Sequence, residues 1–88
     1  MKLELKRFGT ILSSRPAGRE AWLSAQAYVL PAKGIKEKIE VDFSGVDVLS
    51  PSWADEFITQ LKKDYTDQVV LLPSNNLTVK ATLETILK

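Results

Sequence analysis

Leu3 and Leu5 alternate with Lys2, Glu4 and Lys6, the period-2 spacing of a short strand with one solvated face. Phe8-Gly-Thr-Ile-Leu12 continues that strand or bends away from it, and leaves room for an additional edge strand. After Ser13-Ser-Arg-Pro16, Ala17, Ala21 and Ala25 recur at helical spacing with Tyr28 and Val29. A Ser beside an early Pro marks the helix start. Gly18 in the first turn costs about 1 kcal/mol relative to Ala, so its presence points to close packing or to backbone access by a partner. Pro31 ends the helix, and residues 31–38 form a charged connecting loop.

The chain is organised around residues 39–61. Ile39, Val41 and Phe43 alternate with Glu40 and Asp42, again a strand with two distinguishable faces. Ser44-Gly45 breaks it, and Val46 with Val48-Leu49 returns the chain to the core. Ser50-Pro-Ser52 then starts a helix, since a Ser cap followed by Pro in the first turn satisfies or removes orphan amide donors. Trp53, Phe57, Leu61 and Tyr65 form an i, i+4 row on that helix, with Ala54 and Ile58 beside it. Its acids, Asp55 and Glu56, come early and Lys62 and Lys63 late, in keeping with the helix dipole.

Gln68-Val-Val-Leu-Leu72 is a continuous apolar run of strand length, the pattern of a parallel strand covered on both faces. Pro73 stops it, Ser74-Asn-Asn76 supplies a turn and cap, and a closing helix runs from Leu77 to Leu87 on Leu77, Val79, Leu83, Ile86 and Leu87. The predicted order is β-α-β-α-β-α, an α/β fold with a narrow parallel or mixed sheet and right-handed crossovers. Trp53 reads as core on its row or, in the first turn beside the corner, as an exposed interface anchor. Trp22, outside the alanine row, is expected to be partly exposed.

Composition removes several function classes. The 88 residues carry a net charge of +1 and are 44% apolar, enough for one modest core and a single domain over residues 1–88. Cys and His are both absent, which eliminates disulfides, thiol chemistry and the usual neutral-pH base. Neutrality gives no sequence-wide pull toward nucleic acid, and Lys33, Lys36 and Lys38 are not interleaved with aromatic residues. No apolar run approaches the roughly 20 residues of a membrane span. The opening residues read as a strand rather than a leader, and a cytoplasmic protein with no cofactor is expected. Asp55 and Glu56 point about 100° apart on a helix and form no acid/base pair unaided. An enzyme would need a deep pocket around Asp42, Asp47 or Asp55 with raised pKa values.

Val41-Asp-Phe-Ser-Gly-Val-Asp-Val-Leu-Ser-Pro-Ser-Trp-Ala-Asp-Glu-Phe57 resembles the signature of a STAS-like bacterial family of unknown function. Phe8-Gly-Thr-Ile-Leu-Ser-Ser-Arg-Pro-Ala-Gly-Arg-Glu20 resembles the pattern upstream of that block. The similarity covers nearly the whole chain, and residues 42–57 are its most specific part. More distantly, the block is similar to the STAS domains of anti-sigma factor antagonists. There a Ser at a helix start, in an Asp-Ser-Ser-Gly segment, is phosphorylated by an ATPase-fold kinase. Over that segment Ser50 falls on the Asp, Pro51 on the first Ser, Ser52 on the phosphorylated Ser and Trp53 on the Gly. The resemblance thus implies a non-catalytic regulatory module with an anti-sigma-type kinase as partner and Ser52 as a candidate phosphorylation site.

Each candidate has a plainer reading beside it. Ser50 or Ser52 serves as a helix cap worth about 1 kcal/mol, and Ser52 with Asp55 fits a loose capping box. Asp55 and Glu56 would repel a phosphate at Ser52. Arg15 and Arg19, four apart on one helix face, offer a grip for a carboxylate or phosphate, or pair with Glu20, Asp55 or Glu56. The expected partner-binding surface comprises Ser50, Ser52, Trp53, Asp55, Glu56, Arg15 and Arg19. A homodimer built on an exposed sheet edge, without switching, is the alternative.

Overall fold

The computed structural model of the protein describes residues 1–87. Strand β1 (Lys2–Glu4) leads through a 3-10 turn, Leu5–Phe8, to β2 (Ile11–Leu12) and helix α1 (Arg15–Tyr28). Strands β3 (Ile39–Asp42) and β4 (Val48–Leu49) follow, then a helical rod over residues 51–65. That rod consists of α2 (Pro51–Ala54), a π-helical turn (Asp55–Thr59) and α3 (Gln60–Tyr65). Strand β5 (Val69–Leu71) and helix α4 (Leu77–Ile86) complete the chain. The fold is mixed α/β, as the alternation predicted.

All strand pairing is parallel. One sheet has the order β1-β3-β5, and β2 pairs with β4 in a second, two-stranded sheet. The residues around Ile11 do form the additional strand. Leu5, expected to extend β1, turns instead into the 3-10 segment and is fully buried there. The turn redirects the chain so that β2 meets β4 beyond the Ser44-Gly45 bend, where Gly45 takes the positive φ (84°) that only glycine adopts freely.

The register sorts the residues of the larger sheet by face. Leu3, Val41 and Leu71 lie level with one another, as do Ile39 and Val69, and these apolar positions face the core. Lys2, Glu40 and Val70 share the opposite face with Glu4 and Asp42. The apolar run at residues 68–72 predicted a strand covered on both faces, but β5 lies at a sheet edge with Val70 37% exposed. The helix that would have covered it is engaged elsewhere, because α4 packs along β4.

That engagement is polar. Leu49 directs its own amide and carbonyl away from β2, and Thr78 and Thr82, one turn apart on α4, meet them. The Leu49 amide donates to Thr78 Oγ1 at 3.1 Å, and Thr82 Oγ1 donates to the Leu49 carbonyl at 2.6 Å. Asn76 caps α4 by accepting from the Thr78 and Val79 amides, while its side-chain amide donates to the carbonyls of Val46 and Asp47. The helix therefore buries Val79 and Thr82, and Leu77, expected in the core, is 80% exposed.

The core holds Leu3, Leu5, Ile39, Val41, Leu49 and the row Trp53, Phe57, Leu61 and Tyr65. Trp53 stacks on Phe57 with centroids 5.0 Å apart, and Phe8 tilts against both rings. Trp22 meets Phe57 edge-on at 5.7 Å and is buried, contrary to the expectation of partial exposure. The face of α1 that packs inward is set by Gly18, Ala21, Trp22 and Ala25, whereas Ala17 and Tyr28 are exposed.

Gly18 faces the backbone of Trp53. A Cβ at position 18 would stand 2.6 Å from the Trp53 carbonyl oxygen and 2.9 Å from its Cα. Neither atom can swing aside. Helix propensity alone would make Gly18→Ala stabilising by about 1 kcal/mol. Overpacking against a fixed backbone costs typically about 1–3 kcal/mol, so the substitution is expected to lower the urea unfolding midpoint. A raised midpoint would show that the two helices do not approach as described.

Candidate functional site

Strands β2 and β4 run side by side, and each ends in a serine-capped, proline-started helix. Ser14 Oγ accepts from the Ala17 amide and Ser50 Oγ from the Trp53 amide, both at 3.2 Å. The Ser50 amide donates to the Leu12 carbonyl at 2.9 Å, which ties the second corner to the first. Two helix N-termini thus lie together at one end of the small sheet.

Of the two serines proposed as caps, Ser50 makes the cap. Pro51 occupies the first helical position, so the residue before it is the one whose oxygen faces the free amides. Ser52 stands exposed one position further on, and its hydroxyl makes no hydrogen bond among the described residues. The capping box of Ser52 with Asp55 does not form, because Asp55 is turned toward other partners.

Those partners are Arg15 and Thr59. Arg15 Nη1 donates to Asp55 Oδ2 at 2.9 Å and to Glu56 Oε2 at 2.6 Å, and the Thr59 hydroxyl donates to Asp55 Oδ1 at 3.1 Å. The hydrogen bonds from Arg15, then Thr59, hold the Asp55 carboxyl below its ordinary pKa, and the two acids in turn raise that of Arg15. Arg15, in the first turn of α1, bridges that helix to the start of the rod's π-helical turn. The π-helical turn begins at Asp55, and such turns are frequent at functional sites; the regular apolar spacing of the sequence gives no sign of it.

Arg19 does not join this bridge. It lines an open cleft of about 220 Å3 with Trp22 and Leu23 from α1 and with Glu56 and Gln60 from the facing helix. The spacing Arg19, Trp22, Leu23 against Glu56, Gln60 is the i, i+3, i+4 signal of two facing helices. Trp53, proposed as a partner contact, is only 1% exposed and supports the corner from beneath. The structure therefore brings Ser50, Ser52, Asp55, Glu56, Arg15 and Arg19 to the neighbourhood of the corner and places Trp53 under it.

Of the other two candidate acids, Asp42 serves the backbone and Asp47 faces solvent. Asp42 accepts from the Ser44 amide at 3.0 Å and lies 3.6 Å from the Lys2 ammonium. Hydrogen bonds from Ser44, aided by Lys2, lower its pKa despite its burial, the reverse of what a carboxylic general acid needs. Asp47 is exposed. Among the described residues no three His, Cys, Asp or Glu side chains group closely enough to hold a metal ion, and no helix is long and apolar enough to cross a membrane.

Residues 27–80 match the family model described as a STAS-like domain of unknown function (DUF4325), and the chain belongs to that family. No curated protein and no solved structure matches it. The matched segment includes the corner at residues 50–56 and ends short of Arg15 and Arg19, which α1 contributes from outside it.

Asp42 and Asp55 fix an acid limb. Both titrate lower when folded than the ordinary 3.8, so near that pH the unfolded chain binds more protons and stability rises with pH. The contribution is complete above the ordinary value and is lost as pH falls through the folded values. Asp42→Asn keeps an acceptor for the Ser44 amide while removing the titration. Urea melts between about pH 6 and pH 2 should show a shallower loss below about pH 4 in the variant than in the wild type. An identical loss would sink the assignment of Asp42.

Proposed function

We propose that the chain is a non-catalytic regulatory module of a bacterial cytoplasm that binds an ATPase-fold kinase of the anti-sigma type and is phosphorylated on Ser52. The observation that carries this reading is the division between the two serines: Ser50 serves the fold, and Ser52 presents an exposed, unengaged hydroxyl in the first turn of the rod. A phosphate there would add about 1.5 to 2 negative charges at the positive end of a helix, where free amides and the dipole favour an anion. The surface offered to the partner would change while the cap remained intact.

Two features of the corner support it further. Trp53, in the place of the antagonists' Gly, turns its ring inward, leaving Ser52, Asp55, Glu56, Arg15 and Arg19, with half-buried Ser50, as the recognition surface. Asp55 and Glu56 are offset by the guanidinium of Arg15, so their repulsion of a phosphate is reduced. STAS-like domains are in general non-catalytic, and the family relation adds the weight of analogy to the site.

A pull-down with wild type and Ser52→Asp, read by intact mass and partner identification, tests the proposal. Wild type should retain an ATPase-fold kinase and gain one phosphate, about 80 Da, when ATP is added, and Ser52→Asp should release the partner. Capture of such a kinase by both forms, or a phosphate that still appears on Ser52→Ala, would reject Ser52 as the switch.

A further inference from the structure

One guanidinium organises the polar side chains around Ser52. Arg15 reaches from α1 to Asp55 and Glu56 through Nη1 alone, at 2.9 and 2.6 Å. Its Nε and Nη2 donate to nothing among the described residues. That leaves open the planar edge with which an arginine holds a phosphate by two parallel hydrogen bonds. The side chain is about half exposed, so its ion pairs rather than packing hold it in place.

Helical geometry places this guanidinium beside Ser52. Asp55 and Glu56 follow Ser52 by three and four residues. At about 100° per residue they lie about 60° to one side of it and about 40° to the other, one turn along the axis. The π-helical turn begins at Asp55 and leaves this bracketing intact. A nitrogen that touches both carboxylates therefore sits in the angular sector of Ser52. Side chains on a helix also lean toward its N-terminus, which carries the carboxylates, and the nitrogen between them, back over the turn that holds Ser52. Ser52 itself is exposed, with its hydroxyl unengaged among the described residues.

Resting on the phosphorylation of Ser52 proposed above, we infer that Arg15 is the receptor of that phosphate within the chain: its guanidinium turns from Glu56 and takes the phosphate on the open edge. The phosphate carries about 1.5 to 2 negative charges against one on each carboxylate, and arginine pairs are strongest when bidentate. Asp55 keeps the Thr59 hydroxyl, at 3.1 Å, when the guanidinium turns. Glu56, whose carboxylate is bonded among the described residues to Arg15 only, is the acid that gives way. Arg19, one turn further along α1, lines the cleft with Glu56 and Gln60, both to one side of Ser52, and stays outside the sector. A partner therefore meets Arg15 shared between two acids on the free chain, and a phosphate clamped to α1 beside a released Glu56 on the modified one.

Phosphoserine installed at position 52 during translation tests this without any kinase, so the result stands apart from the pull-down: a missing kinase leaves it unchanged, and its failure leaves the kinase reading intact. The 31P resonance is titrated from about pH 4 to pH 9, across the second phosphate ionisation near 6. With Arg15 present the midpoint should lie about half a pH unit or more below that of Arg15→Gln, about a threefold change in proton affinity. Arg15→Lys should recover part of the difference, as a point charge without the fork. Arg19→Gln, which removes the same charge from the same helix, should shift the midpoint much less. The Arg15 Nε–H proton resonance should move through the phosphate midpoint, as a charge acting from a distance would not make it do. Equal midpoints with and without Arg15, an equal shift from Arg19→Gln, or an Nε–H resonance indifferent to the phosphate would each overturn the proposal. Loss of the cooperative thermal melt in the phosphorylated chain would do so too, because a phosphate held by Arg15 leaves the fold intact.

Discussion

The fold depends on how closely α1 can approach the start of the rod. At Gly18 the helix has no side chain, and the backbone of Trp53 occupies the space a methyl group would need. That approach sets the height of α1 above the rod. Trp22 can then reach the edge of Phe57, and Trp53 can lie flat against Phe57 beneath the corner. It also brings Arg15, one turn earlier on α1, within hydrogen-bonding distance of Asp55 and Glu56. Exposed ion pairs of this sort contribute little stability, less than about 1 kcal/mol. The packing positions the ion pair, and the pair fixes which charges the corner shows.

The same economy governs the strands. β2 and β4 are two residues each, too short to hold a sheet by themselves, and they persist because both ends of the arrangement are tied down. Their C-terminal ends run into serine caps, and the outer side of β4 is occupied by threonines from α4. Using α4 as a polar closure has a cost, since α4 packs along β4 and the outer face of β5 is left with Val70 exposed. The strand-to-helix corner thus belongs to the small β2-β4 sheet, and β5 to the larger β1-β3-β5 sheet.

Much of the architecture is legible in the sequence where a single local signal decides. Period-2 alternation at residues 39–43, the i, i+4 row from Trp53 to Tyr65, and Ser-Pro helix starts all correspond to observed elements. The departures occur where a residue's place depends on a distant neighbour. Val69 to Leu72 read as a covered strand because apolar runs carry no information on which sheet edge they will occupy. Trp22 lay outside the alanine row, yet Gly18 lets the rod come close enough to bury it. Leu77 looked like core, but the inward face of α4 was chosen by Thr78 and Thr82, whose partner is the backbone of Leu49. At the site, the Ser50 cap could be inferred from Pro51, while the π-helical turn and the shared grip of Arg15 on two acids could not.

The fold uses Ser50 and leaves Ser52 free, and paired alanine substitutions measure this division most directly. Urea unfolding of Ser50→Ala should show a loss of about 1 kcal/mol, the usual value of an N-cap. Ser52→Ala, at an exposed position inside the first turn, should stay within about 0.5 kcal/mol of wild type. The reverse order, with Ser52→Ala the more destabilised, would mean that Ser52 rather than Ser50 is the cap and that its hydroxyl is not free.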